Sequence, residues 1–235
     1  MNKLILIMID GISAELFEQK QAWMPHMHAL AQQGTQVQAL TPEVCGTSFP
    51  GRTSIIVGRP AAEHGIYGNK IWDGSEFRWS TPDDVRTPSL AYFAQAAGKD
   101  VAAIGYGMVR PEDCDVFLPP WWQDEVVNRA RNEPPTSEQS LNKPVNSVPF
   151  AINTASQQRI ATLAAANIQT QVIHPNTDSR ANPDGSEKLS LGMLADQQLL
   201  EIAAGLANSA QAPDLILLEI GVTDYYLHAY GKDHP

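Results

Sequence analysis

Three stretches of this chain carry residue types able to handle a divalent cation and a phosphoryl group. Asp10 closes the apolar run at 3–10, KLILIMID. Ser48-Phe49-Pro50-Gly51-Arg52 is followed by His64-Gly65 and Asn69, and Asp224 stands four residues before His228. A carboxylate at a strand end beside a glycine projects its oxygens past the sheet edge, where a cation finds them. Alone, an Asp in that position is more often a loop or cap residue. Ser48 falls just ahead of a helix expected over 52–57, so its hydroxyl meets the N–H groups and dipole that favour an oxyanion or phosphate. A serine hydroxyl attacks only when its alkoxide is stabilised, and a metal ion does that directly. Without such help the same serine is a plain N-cap. Arg52 is expected to bring positive charge to substrate oxygens. Asp224 and His228, at i and i+4, share one helical face and reach one cation, although an isolated pair of this kind is more often a solvated face.

The elements that must position these residues alternate between two periodicities. The run at 3–10 reads as a central strand covered on both faces. Pro25, Met27, Leu30 and Ala31 read as a short helix ended by Gly34, and 35–40 as a short alternating strand. A helix opens at Thr87-Pro88 and runs to Ala97, stopped by Gly98, ahead of a buried strand over 100–106. A helix over 153–166, a strand over 169–173, a long helix over 186–210 (or two in series, given Gly192 and Gly205) and a core strand over 213–220 complete the pattern. The fold class expected is α/β, a mostly parallel sheet flanked by helices on both faces. Asp10 and Asp224 then share the carboxyl rim, where such sheets bind ligands. The core is expected over 1–107 and 151–235. The segment 108–150, with Pro119-Pro120-Trp121-Trp122 and Pro134-Pro135, reads as an inserted loop or cap.

The chain of 235 residues has net charge −10, with 43% hydrophobic and 18% charged residues. That composition suits a folded enzyme and gives no basic surface for nucleic acid. The N-terminal apolar run is too short, and too soon charged, for a signal peptide. No apolar run approaches the ~18 residues of a membrane span. With only Cys45 and Cys114 there is no disulfide framework, so the cytoplasm is the expected compartment. Cys45 lacks a basic neighbour in sequence and reads as a small packed side chain. His26, His28 and His174 read as helix or loop residues.

Ser48-Phe49-Pro50-Gly51, Thr53 to Gly58, Pro60, His64-Gly65 and Asn69 together resemble the nucleophile segment of the alkaline phosphatase superfamily, in its type I phosphodiesterase/nucleotide pyrophosphatase branch. The resemblance implies two divalent metal ions about 4 Å apart, zinc first, with manganese or magnesium as alternatives. It makes Ser48 the nucleophile on one metal, Asp10 a ligand of that metal, Asn69 the holder of a phosphate oxygen, and Asp224 with His228 ligands of the second metal. Leu227 replaces the family's usual Gly. The implied substrate is small and phosphorylated, a nucleotide among the candidates. The family's further Asp-His pair and later His have no counterpart, since Asp233-His234 arrives too early. The chain therefore reads as the N-terminal part of a larger enzyme, expected by itself to bind zinc weakly and to be inactive. Ser48-x-Pro50-Gly51-Arg52 also resembles the sulfatase segment, against which stand the lone Asp10 and Asn69. Phosphonate and phosphomonoester hydrolysis share the scaffold. A degenerate, non-catalytic ligand-binding homologue is the alternative from another class.

Overall fold

The computed structural model describes residues 3–37, 40–120, 159 and 186–231. Four strands form one parallel sheet in the order β1-β6-β4-β5: β1 (Leu4–Ile9), β4 (Val101–Ile104), β5 (Val116–Leu118) and β6 (Leu215–Ile220). β2 (Lys70–Trp72) and β3 (Phe77–Trp79) make a separate antiparallel hairpin. Helices α1 (Ala14–Gln19), α2 (Pro25–Gln33), α3 (Ser48–Val57), α4 (Ala61–His64), α5 (Leu90–Ala96), α6 (Ser186–Ala207) and α7 (Val222–Tyr230) follow in chain order around these strands.

The strand sequences explain the layers. Every residue of β4, VAAI, is buried, as a parallel strand covered on both faces requires. Its side chains alternate between two cores. Ala102 and Ile104 join Ile216 and Leu218 of β6 and Val116 and Leu118 of β5 under Leu199, Ile202 and Leu206 of α6. Val101 and Ala103 join Leu215, Leu217 and Phe117 on the opposite face, against Ala91 of α5 and Ile56 of α3. The period of two in the strands thus sorts one apolar sequence into two helix-covered faces. Among the described residues no helix is long and apolar enough to cross a membrane.

Several expected elements are present with shifted ends. α2 runs from Pro25 to the residue before Gly34. α5 starts at Leu90 rather than at Thr87-Pro88, because the Ser89 side chain accepts from the Tyr92 N–H at 3.2 Å and sets the cap. The helix expected over 186–210 is one continuous element through Ala207.

Three expectations are corrected. Among the described residues β1 pairs only with β6 and stands at the edge of the sheet, and Leu4, Ile5 and Ile7 remain about half exposed rather than covered on both faces. Residues 35–37 and 40 lie outside any strand. The sheet also extends into the segment assigned to the insertion: residues 101–109 are buried, and β5 pairs parallel to β4. A hydrophobic strand of three residues amid Pro and Asp was masked by its neighbours' loop-like composition. The remainder of that segment, the helix at 153–166 and the strand at 169–173 lie outside the described residues, residue 159 excepted.

Candidate functional site

All four sheet strands are parallel, so their carboxyl ends share one rim. Asp10 follows β1 there, the turn Gly105-Tyr106-Gly107 follows β4, and α7 follows β6 after Gly221. Gly11 has φ +86, and a Cβ on it would lie 2.9 Å from both the Cα and the N of Asp224. Only a glycine lets the chain turn out of β1 this close to α7. That approach brings the two acids together. Burial, then the charge of Asp10, push the Asp224 carboxyl above its ordinary range, while His228 and Arg52 pull the other way. His228 Nε2 lies 3.5 Å from Asp224 Oδ1, on the shared face expected of i and i+4, with the imidazole largely exposed.

α3 meets the same rim through Arg52, one turn from Ser48. The helix begins at Ser48 itself, capped by Thr47 in extended conformation and ended by Gly58 in the left-handed region. Ser48 is therefore not the cap residue. It is half-buried. One turn further along, Arg52 Nη2 donates to Asp10 Oδ2 at 3.0 Å. Four residues of helix advance ~6 Å, so Ser48 and Arg52 lie on one face with Ser48 toward the open end. Asn69 Oδ1 accepts from the Phe49 N–H at 2.9 Å, which fixes that amide beside Ser48 and leaves the Asn69 amide nitrogen outside this bond.

Arg52 is not placed as expected. Its side chain is 4% exposed, and the guanidinium lies between Asp10 and Glu219, 2.7 Å from Glu219 Oε1. Its charge is directed at carboxylates of the protein rather than outward at a substrate. His64, part of the diagnostic segment, also acts inward. Nδ1 accepts from the Ile66 N–H at 3.1 Å, so Nε2 carries the proton and donates to Ser54 Oγ at 2.9 Å. Burial lowers the His64 pKa against the upward pull of Glu43, and the neutral ring braces α3 against α4.

Three residues that the motifs do not announce complete the surroundings. Glu219, in the buried β6, accepts from the Gly107 N–H at 2.8 Å. Its pKa is pushed up to about 7, first by burial and further by Asp10 and Asp196, against Arg52 and Gly107. Tyr106 is fully buried, and its hydroxyl lacks a hydrogen-bond partner among the described residues. Asp196 reaches across from α6, and its Oδ2 accepts from the N–H groups of Gly221 at 3.0 Å and Val222 at 2.8 Å, capping α7. The sequence does carry a trace of two of them. Glu219 interrupts the apolar run LILLEI, and Asp196 falls on the same helical stripe as Leu199 and Ala203.

Asp10, Asp224 and His228 are oxygen and imidazole donors suited to a divalent cation. The repulsion that raises the Asp224 pKa is what such a cation relieves. Among the described residues no three His, Cys, Asp or Glu side chains converge as a ready-made site, so they supply part of a coordination shell. Both cysteines are unpaired with each other, and burial raises the thiol pKa of Cys114.

A parallel sheet with acids at its carboxyl edge, tied through Arg52 to the helix that bears Ser48, defines an α/β protein. The family model described as type I phosphodiesterase / nucleotide pyrophosphatase matches residues 4–235, and the chain belongs to that family. Among solved structures it is similar to phosphonoacetate hydrolase from Sinorhizobium meliloti in complex with phosphonoformate. That similarity has a TM-score of 0.57 and 20% identity, covering 100% of this chain and 49% of the other. It is also similar to an inactive variant of murine ectonucleotide pyrophosphatase/phosphodiesterase 5 in complex with AMP. Here the TM-score is 0.48 with 14% identity, over 94% of this chain and 57% of the other. The chain thus spans about half the length of these solved relatives.

Proposed function

We propose that the protein is a metal-dependent hydrolase of phosphodiester or nucleotide pyrophosphate bonds in which Ser48 is the nucleophile. The observation that carries this is the Arg52–Asp10 bond, which ties the helix bearing Ser48 to the rim where Asp10 and Asp224 meet. Family membership supports the reaction class.

Asp10 would hold one cation together with Ser48, and Asp224 with His228 would hold the second. Divalent cations, when bound, lower the pKa of the serine hydroxyl and neutralise charge developing on phosphoryl oxygens. Ser48 Oγ then forms a bond to phosphorus as the leaving oxygen departs, and water later cleaves the phosphoserine. The N-terminal end of α3 contributes the positive end of its dipole to the same oxygens, while its Phe49 and Gly51 N–H groups are held by Asn69 and the Thr47 carbonyl. Asn69, held by the Phe49 amide, orients a non-bridging oxygen through its side-chain N–H groups. A small phosphorylated ligand fits this arrangement, and the similar structures carry AMP and phosphonoformate.

The test compares the full-length protein with its Ser48→Ala variant on bis-p-nitrophenyl phosphate, p-nitrophenyl phosphate and phosphonoacetate, with zinc, manganese or magnesium added. Loss of all turnover with an unchanged fold supports Ser48 as nucleophile. Retained turnover removes it from that role, and a preference for phosphonoacetate moves the substrate class to phosphonates.

A further inference from the structure

We infer that Glu219 and Arg52 form a buried positioning pair that sets the cation affinity of Asp10, although neither side chain touches the cation. The inference rests on Asp10 being a cation ligand. Arg52, one turn along α3 from Ser48, holds Oδ2 of Asp10 through Nη2 at 3.0 Å, and Asp10 remains one-quarter exposed. In this proposal Oδ1 is the oxygen that faces the ligand. The guanidinium cannot choose that pose by itself, since an arginine beside a single carboxylate favours the two-pronged grip that occupies both oxygens.

Glu219 decides the geometry. Its Oε1 forms an ion pair at 2.7 Å with the same Nη2 of Arg52 that holds Asp10, and the Gly107 N–H at 2.8 Å pins Oε2 so that the carboxylate cannot swing away. Glu219 is 1% exposed, inside β6, and its position is set by the strand rather than by the loops. Arg52 is thus shared between an immovable acid below and a semi-exposed acid above. Two functions follow from one contact. The Asp10 rotamer is fixed, and α3, with Ser48 at its start, is locked to β1 and β6 together. Groups that orient a ligand from behind in this way typically change metal affinity 10–100-fold when removed.

A pure charge effect predicts a different pattern. With Asp10, Arg52 and Glu219 ionised the trio carries −1, and Glu219→Gln brings it to zero. The double variant Arg52→Gln/Glu219→Gln restores −1 but removes the hold on Asp10. It also replaces both partners of a buried ion pair, which proteins tolerate better than the loss of one.

The experiment is manganese titration of the full-length protein by calorimetry, with circular dichroism and thermal unfolding to confirm folding of each variant. Glu219→Gln is expected to weaken binding at least tenfold, and the double variant to stay at least tenfold weaker than the parent. Affinity of Glu219→Gln within twofold of the parent overturns the inference. Recovery of the double variant to within twofold also overturns it and makes Glu219 a counter-charge only. Asp10→Asn is the separate control. If it leaves manganese binding unchanged, the metal role of Asp10 itself falls, and the positioning role with it.

Discussion

Replacing Asp196 with Ala removes a side chain that caps α7, the helix carrying Asp224 and His228. Two N–H groups, of Gly221 and Val222, then lose an anionic acceptor at 3.0 and 2.8 Å. The site is 3% exposed, so water is poorly placed to replace the oxygen. A hydrogen bond to a charged group contributes about 1.5–3 kcal/mol, and loss of an N-cap side chain costs roughly 0.5–2 kcal/mol. Because both bonds end on one oxygen their energies are not additive, and a net loss of about 3 kcal/mol is expected. Asp196→Asn keeps an acceptor and loses the charge facing the helix N-terminus, a difference of about 1 kcal/mol. Urea unfolding reads both numbers. With a slope near 3 kcal/mol/M the midpoint falls by about 1 M for Ala and about 0.3 M for Asn. Amide hydrogen exchange should quicken first in α7, and turnover should fall more than stability because Asp224 is displaced. An Ala variant within about 0.5 kcal/mol of the parent would refute the capping role of Asp196.

Gly11→Ala should cost roughly 1–2 kcal/mol from its φ of +86 alone, before the contact with the Asp224 backbone at 2.9 Å is counted. Calorimetric unfolding and turnover measure it, and an unchanged protein would place Gly11 outside the approach of β1 to α7. Asn69→Ala removes the acceptor of the Phe49 N–H and the donor proposed for a phosphate oxygen. A loss of about 10²–10³ in kcat is expected, the scale of deleting one oxyanion donor. Glu219 supplies a pH signature. Its folded pKa of about 7 lies above the ordinary glutamate value of 4.5, so between those values the native state binds more protons than the unfolded one. Stability should therefore decline as pH rises from about 4.5 to about 7, and Glu219→Gln should flatten that slope in a pH series of denaturation curves. A slope that survives the substitution would assign the effect to another group.

The residues of the site differ in how far the sequence disclosed them. Asp10, Ser48 and Asn69 sit at element boundaries, where a change of hydrophobic period and a nearby Gly or Pro mark the place, and Asp224 and His228 fall in the first and last turns of α7. Such boundaries are local, so their positions follow from the pattern along the chain. Asp224 and His228 on one helical face required only a period of 3.6. The layered α/β architecture was legible in the same way, from runs such as VAAI and LILLEI.

What an isolated residue faces is another matter. Arg52 read as a substrate contact because an arginine near a helix start commonly points at anions. The tertiary structure turned it inward, since Glu219 and Asp10 lie across two parallel strands and the buried acid demands a partner. The pairing of β1 with β6, the strand β5 inside a Pro-rich stretch, and the reach of Asp196 from α6 to α7 are likewise contacts between distant segments. Chemistry that depends on local period and spacing was determined by the sequence itself. Strand order and the pairing of buried charges depend on which remote segments fill the same low-dielectric space, and only the folded chain decided them.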